Sequence, residues 1–83
     1  MSWSMSLIEN SNPSKGKINV DLGSHHDDIE IIVHDSMGRT VYSKQYTNSR
    51  EVLVVLDQQE AGLYFLEIFS EGQVLAKRKV ILE

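Results

Sequence analysis

The sequence has 83 residues, of which 41% are hydrophobic and 24% charged, a composition that fits one small globular domain and excludes a disordered chain. It contains no cysteine, which excludes disulfides and thiolate metal sites, and its net charge is −4. The acidic balance argues against a nucleic-acid-binding surface, and no apolar run reaches the roughly 20 residues that would span a bilayer.

The first segment, residues 1–6, has neither the basic start nor the apolar centre of a signal peptide. We interpret it as a linker or cloning remnant and expect the domain to occupy residues 7–83. A weak strand around Leu7 and Ile8 opens that domain in this interpretation. Asn12 and Pro13 follow. Because proline cannot donate to a β-ladder and favours an extended preceding residue, this pair predicts the start of the first long strand.

From residue 17 onward, hydrophobic residues recur at every second position, which is the period of half-buried strands. Turn-forming residues interrupt them at 21–24, 35–39, 48–50 and 71–73. The run 52–56 is apolar throughout and predicts a strand that is covered on both faces or lies centrally in the sheet. This pattern predicts an all-β fold, an antiparallel sandwich of six or seven strands. The residues predicted to be buried are Ile18, Val20, Ile31, Val33, Val54, Leu66, Ile68 and Val80.

Residues 35–39 are predicted to form a tight hairpin turn. Gly38 can adopt the positive φ that ends a type I turn in a bulged hairpin. The Asp35 carboxylate can accept hydrogen bonds from the turn amides, and Arg39 is near enough to pair with it. These properties predict a structural role for the three residues.

Further along, Gly62 precedes Tyr64, whose ring is predicted to face inward. A buried tyrosine needs a hydrogen-bond partner for its hydroxyl. The position therefore resembles a corner tyrosine and not a catalytic acid.

Catalytic and metal-binding patterns are weak. His25, His26, Asp27 and Asp28 stand in a row, but adjacent residues on a turn rarely converge on one ion, and structural zinc needs four ligands in a tetrahedral array. We interpret them as a solvated loop and expect no metal or cofactor. The sequence has no cysteine nucleophile, no G-x-S-x-G and no glycine-rich phosphate loop. We therefore expect that the protein is not an enzyme.

Four features in this order resemble the C-terminal sorting domains of the type IX (Por) secretion system. They are a Pro-Asn-Pro-like start, a hydrophobic strand leading to Asp-x-x-Gly-Arg, a Gly-hydrophobic-Tyr strand, and a lysine-bearing last strand. The matching positions are Asn12 and Pro13; Val33, Asp35, Gly38, Arg39 and Val41; Gly62, Leu63 and Tyr64; and Lys77, Lys79, Val80 and Ile81.

The resemblance implies an immunoglobulin-like sandwich joined to a larger N-terminal cargo domain. Its partners would be the outer-membrane translocon and shuttle proteins, without nucleic acid and without membrane insertion. It also implies export through the periplasm to the cell surface or medium of a Gram-negative bacterium, followed by removal of the domain and attachment of the cargo to the surface. We expect Lys77, Lys79, Val80 and Ile81 to be the recognition residues.

An immunoglobulin-like accessory module, either carbohydrate-binding or a spacer, is the alternative. Carbohydrate sites usually present exposed aromatic side chains, so an exposed row of Tyr42 and Tyr46 would favour it. Edge strands of either kind of domain can pair between copies, so dimerisation stays open.

Overall fold

A computed structural model describes residues 16–83, which form four antiparallel β-strands in one sheet. The strands are β1 (Lys17–Asp35), β2 (Thr40–Val55), β3 (Gly62–Ser70) and β4 (Gln73–Leu82). Their order across the sheet is β2-β1-β3-β4, so β1 and β3 are central. This part of the chain has no helix with the length and hydrophobicity needed to cross a membrane. The predicted all-β, antiparallel class is confirmed.

β1 is too long to run straight through the molecule. Its 19 residues would extend about 60 Å at ~3.3 Å per residue, whereas the longest dimension of the domain is 31 Å. The pairing of β1 with β2 shifts register between Asp21 and His26. Near this shift, Gly23 has a φ of 82° and Asn48 has a φ of 49°. The β1–β2 hairpin therefore bends here, and the two halves of the bent hairpin contribute to one hydrophobic core.

The bend explains why residues 16–83 form four strands, whereas the sequence predicts six or seven for the domain. Residues 21–24 and 48–50, predicted as turns between strands, lie inside β1 and β2. A positive φ and a register shift bend paired strands at these points without ending them. The predicted strand at Leu7 and Ile8, and the Asn12-Pro13 pair, lie outside the described residues.

The core confirms the predicted alternation. All eight residues predicted to be buried are buried, and Tyr64 joins them. The prediction for the run 52–56 was wrong, because Leu53 and Val55 are exposed while the residues that alternate with them are buried. Among residues 16–83, β2 lies at the margin of the sheet, and this half of it is covered on one face only.

Candidate functional site

The turn between β1 and β2 is held by one carboxylate. Asp35 Oδ1 accepts hydrogen bonds from the backbone amides of Met37 and Arg39, both at 2.9 Å, and Asp35 Oδ2 accepts one from Arg39 Nε at 2.9 Å. The Gly38 amide donates to the Asp35 carbonyl at 3.0 Å, and Gly38 has a φ of 86°. This is the bulged hairpin turn that the sequence predicts.

These contacts fix the ionisation of Asp35. The hydrogen bond from the Arg39 amide is the main cause that lowers the pKa of the Asp35 carboxyl; burial opposes it, and the Arg39 guanidinium and the Met37 amide lower it further. The Asp35 side chain is largely covered, whereas that of Arg39 is exposed. Because its oxygens are engaged within the turn, Asp35 is suited to holding the loop and not to proton transfer.

The turn closes one end of an open groove of about 620 Å³. The groove lies on the face of the sheet that points away from the core, and we call it the outer groove. Its lining residues come from the end of β1, the turn, β3 and β4: His34, Asp35, Ser36, Gly38, Phe65, Leu66, Glu67, Lys77, Arg78 and Lys79. β3 brings these segments together, because it pairs with β1 on one side and with β4 on the other.

Three cross-strand pairs of β3 and β4 form the outer face beside this groove. Along the strands they are Leu63 with Ile81, Phe65 with Lys79, and Glu67 with Lys77. Residues directly opposite each other in an antiparallel pair have Cβ atoms about 4.5–5.5 Å apart, so each pair is in contact range. The face therefore changes from apolar to charged over three pairs.

A polar network crosses all four strands at the charged end. Thr40 Oγ1 lies 3.2 Å from His34 Nδ1, and His34 Nε2 lies 3.1 Å from Glu67 Oε1. Glu67 Oε2 lies 3.5 Å from Lys77 Nζ. Because a carboxylate only accepts, His34 Nε2 carries the hydrogen, and in the neutral ring Nδ1 accepts from Thr40. Glu67 therefore holds Lys77 beside the groove.

The four candidate recognition residues do not share one face. Lys77, Lys79 and Ile81 are exposed on the outer face, whereas Val80 is fully buried. The guanidinium of Arg78, between the lysines, donates to the Lys77 carbonyl at 2.7 Å. A partner of the folded domain can therefore touch three of the four candidate side chains, and Val80 anchors the strand in the core.

Tyr64 occupies the position that the sequence predicts for a corner tyrosine. Its ring is buried, and its hydroxyl donates to the Glu60 carbonyl at 2.6 Å. The bond ties the start of β3 to the preceding loop, as the corner tyrosines of immunoglobulin-like domains do. Tyr64 thus has a structural contact in this geometry.

Tyr42 and Tyr46 are partly buried and pack against the core. The Tyr46 hydroxyl donates to the Leu53 carbonyl at 3.2 Å, so Tyr42 is the donor in the 2.5 Å contact between the two hydroxyls. Burial, joined by the contact with Tyr42, raises the pKa of Tyr46 above its usual range. The pair does not form the exposed aromatic row that a carbohydrate site would need.

The histidines at the bend make local contacts. His26 Nδ1 lies 3.1 Å from Ser70 Oγ, and His26 Nε2 lies 3.4 Å from Ser24 Oγ. Among residues 16–83, no group of three or more histidine or carboxylate side chains is arranged to hold a metal ion. His26 therefore lies within hydrogen-bond distance of two serine hydroxyls, and among the described residues no set of metal ligands surrounds it.

Sequence reasoning did not select Phe65, Glu67 or His34 as site residues. Each is an ordinary strand residue in the sequence, and only the pairing of β1, β3 and β4 shows that they share the outer groove with the lysines. The period-two pattern was the signal that could have identified them, because it places all three side chains on the face of the sheet opposite the predicted core residues.

The comparison with known families agrees with the resemblance. The family model of the secretion system C-terminal sorting domain matches residues 11–83, which include the turn, the corner tyrosine and β4. No curated protein matches the chain. Members of this family carry a sorting signal for type IX secretion, act with that machinery on a larger cargo in the same chain, are in general non-catalytic, and are exported from Gram-negative cells. The chain therefore belongs to the family of type IX secretion C-terminal sorting domains.

Proposed function

We propose that this domain is the sorting label of a larger cargo and directs it across the outer membrane through the type IX translocon. The family match over residues 11–83 is the observation that carries the proposal. After export the label is cleaved, and the cargo is released or attached to the cell surface. The bent hairpin, whose two halves share one core, supports an immunoglobulin-like sandwich as the form in which the label is read.

Recognition would use the outer face of β4. Lys77, Lys79 and Ile81 are exposed there, next to the turn that defines the family pattern. In a chain of net charge −4, these lysines form a local cationic surface. Such a surface attracts an acidic receptor and repels a basic one, so it supplies selectivity as well as a faster encounter.

The accessory-module alternative is less well supported. Tyr42 and Tyr46 are partly buried and hydrogen-bonded to each other, which weighs against a stacking surface for sugars. A spacer would need no recognition surface at all. The two functions therefore differ in whether changes confined to the outer face affect export.

The test is an export assay of the 83-residue chain fused to the C-terminus of a folded reporter that carries a signal peptide. In a type IX-competent bacterium, the fusion should reach the surface or medium. Without residues 77–83 it should stay in the periplasm, because most of β4 is lost. Equal export of the intact and truncated fusions would show that the domain is not a sorting label.

A charge substitution separates recognition from folding. Lys77→Gln with Lys79→Gln should reduce export several-fold with a nearly unchanged melting temperature, because exposed ion pairs contribute only ~0–1 kcal/mol. The matched control is Lys44→Gln with Arg50→Gln, which removes the same charge from exposed positions of β2. If both pairs reduce export equally, net charge and not the outer face of β4 is being read.

A further inference from the structure

The outer groove contains an exposed aromatic ring, Phe65, that takes no part in the turn or in the lysine surface proposed above. Phe65 is 40% exposed at the centre of β3, although the residues on either side of it, Tyr64 and Leu66, are buried. Leu63 and Ile81 continue the apolar surface next to it, at 38% and 50% exposure. Contiguous exposed apolar side chains on a small domain commonly mark a binding surface.

The charges around Phe65 define what would complement it. Two cationic side chains on the outer face of β4, Lys77 and Lys79, line one wall of the groove. Its two carboxylates are engaged within the domain, Asp35 by the turn and Glu67 by His34 and Lys77. The groove thus combines an apolar floor with a cationic wall, and its complement is a ligand that is both apolar and anionic.

We propose that the outer groove binds an extended segment of a partner protein in which carboxylate side chains alternate with large apolar ones. An apolar side chain packs on Phe65, and a carboxylate lies against Lys77 and Lys79. This inference rests on the proposed function only in taking that partner to be a component of the export machinery.

Strand geometry favours an extended ligand. Side chains on one face of a strand recur every second residue, about 7 Å apart, which is the spacing of Phe65 and Glu67 along β3 and of Lys79 and Lys77 along β4. An extended peptide has the same repeat, so its alternate side chains can meet the floor and the wall in turn.

The test uses the 83-residue chain and three blocked nine-residue peptides. In the first, aspartate alternates with phenylalanine and leucine; in the second, serine replaces the apolar residues; in the third, lysine replaces aspartate. Calorimetry and amide chemical shifts should show that the first peptide binds at the outer groove, with shifts at Gly38, Phe65 and Lys77. The other two should bind at least tenfold more weakly.

Matched variants locate the binding. Phe65→Ser should weaken binding of the first peptide about tenfold, and so should Lys77→Gln with Lys79→Gln. Leu53→Ser is the control. Leu53 is 45% exposed, but it lies in β2 opposite Asn19 and does not line the outer groove. Equal binding of the serine peptide, equal loss in the Leu53 variant, or no binding would overturn the inference. Binding of phosphatidylglycerol vesicles that depends on Phe65, without peptide binding, would also overturn it.

The export assay distinguishes failure of this inference from failure of the proposed function. A Phe65→Ser fusion that folds normally should be exported several-fold less than the Leu53→Ser fusion. If the lysine variant loses export while Phe65→Ser does not, the sorting function stands and the groove chemistry proposed here is wrong. If neither outer-face variant affects export, recognition uses another surface, and the link between the groove and export is overturned.

Discussion

At the scale of single residues, the turn between β1 and β2 shows what local chemistry can specify. Asp35, Gly38 and Arg39 supply the carboxylate, the positive φ and the guanidinium within five consecutive positions. Because every partner is close in sequence, the turn could be predicted from the sequence in full. The same is true of Tyr64, whose hydroxyl finds a carbonyl four residues upstream.

Two glycines with positive φ should differ in how much they tolerate a side chain. Gly38 has a φ of 86°, and a Cβ there would have no neighbouring atom within 4 Å, so Gly38→Ala should cost only the backbone strain, about 1–2 kcal/mol. At Gly16, with a φ of 104°, a Cβ would lie 2.8 Å from Asp57 Cα. Gly16→Ala should therefore cost more, as measured by urea denaturation. Equal losses would show that the contact with Asp57 relaxes freely.

The carboxylate of Asp35 should make stability depend on pH. Its pKa in the folded state lies below the ordinary value of 3.8, so its contribution is fully present above that value and is lost as pH falls through the lower folded-state pKa. Asp35→Asn should destabilise the domain at neutral pH. As the pH falls below 3.8 and through the lower folded-state pKa, the difference from the wild type should shrink. Thermal melts of both proteins between neutral and acidic pH measure this, and a constant difference would contradict it.

At the scale of the elements, period two predicts which side of each strand is buried but not where a strand ends. Gly23 and Asn48 carry the signs of turns, a positive φ and a polar or absent side chain, yet both lie inside strands. Whether such a residue ends a strand or bends it depends on what the following residues pair with. That information lies in the partner strand, which explains why the sequence predicts more strands within residues 16–83 than the structure has.

Val80 and Ile81, neighbours in β4, should differ in how far an introduced charge lowers the stability of the domain. Val80 is fully buried and Ile81 is 50% exposed. Val80→Asp would bury an unpaired carboxylate and should cost more than about 3 kcal/mol, enough to unfold much of a small domain. Ile81→Asp should change stability by about 0.5 kcal/mol or less. Chemical denaturation of the two variants compares them directly, and similar losses would mean that the strand is shifted by one residue.

At the scale of the whole molecule, one core links both halves of the bent hairpin. Ile18 lies in the first half of β1 and Ile68 in β3, which pairs with the second half of β1, and both are fully buried in the same cluster. The outer groove also belongs to this scale, since it joins residues far apart in the sequence. Alternation predicts that Phe65 and Lys79 point away from the core, but not that they are neighbours.

A shared core predicts a single cooperative transition. Ile18→Ala and Ile68→Ala each remove the same atoms, one set from the first half of β1 and the other from β3, and each should lower the free energy of unfolding of the entire domain by about 2–5 kcal/mol. Urea unfolding followed by circular dichroism and by amide hydrogen exchange should give coincident curves for both variants. Loss of protection confined to residues 17–22 in the Ile18 variant would show that this half unfolds independently.

The central position of β3 determines when in folding a receptor could bind the outer groove. The outer groove forms only after β3 has paired with both β1 and β4, so an unfolded chain holds the same lysines and the same phenylalanine without presenting them together. Pairings between distant segments form slowly compared with local ones. A receptor that reads this groove would therefore respond to completed folding and not to the mere presence of the sequence. Export through such a receptor would begin only after the domain has folded.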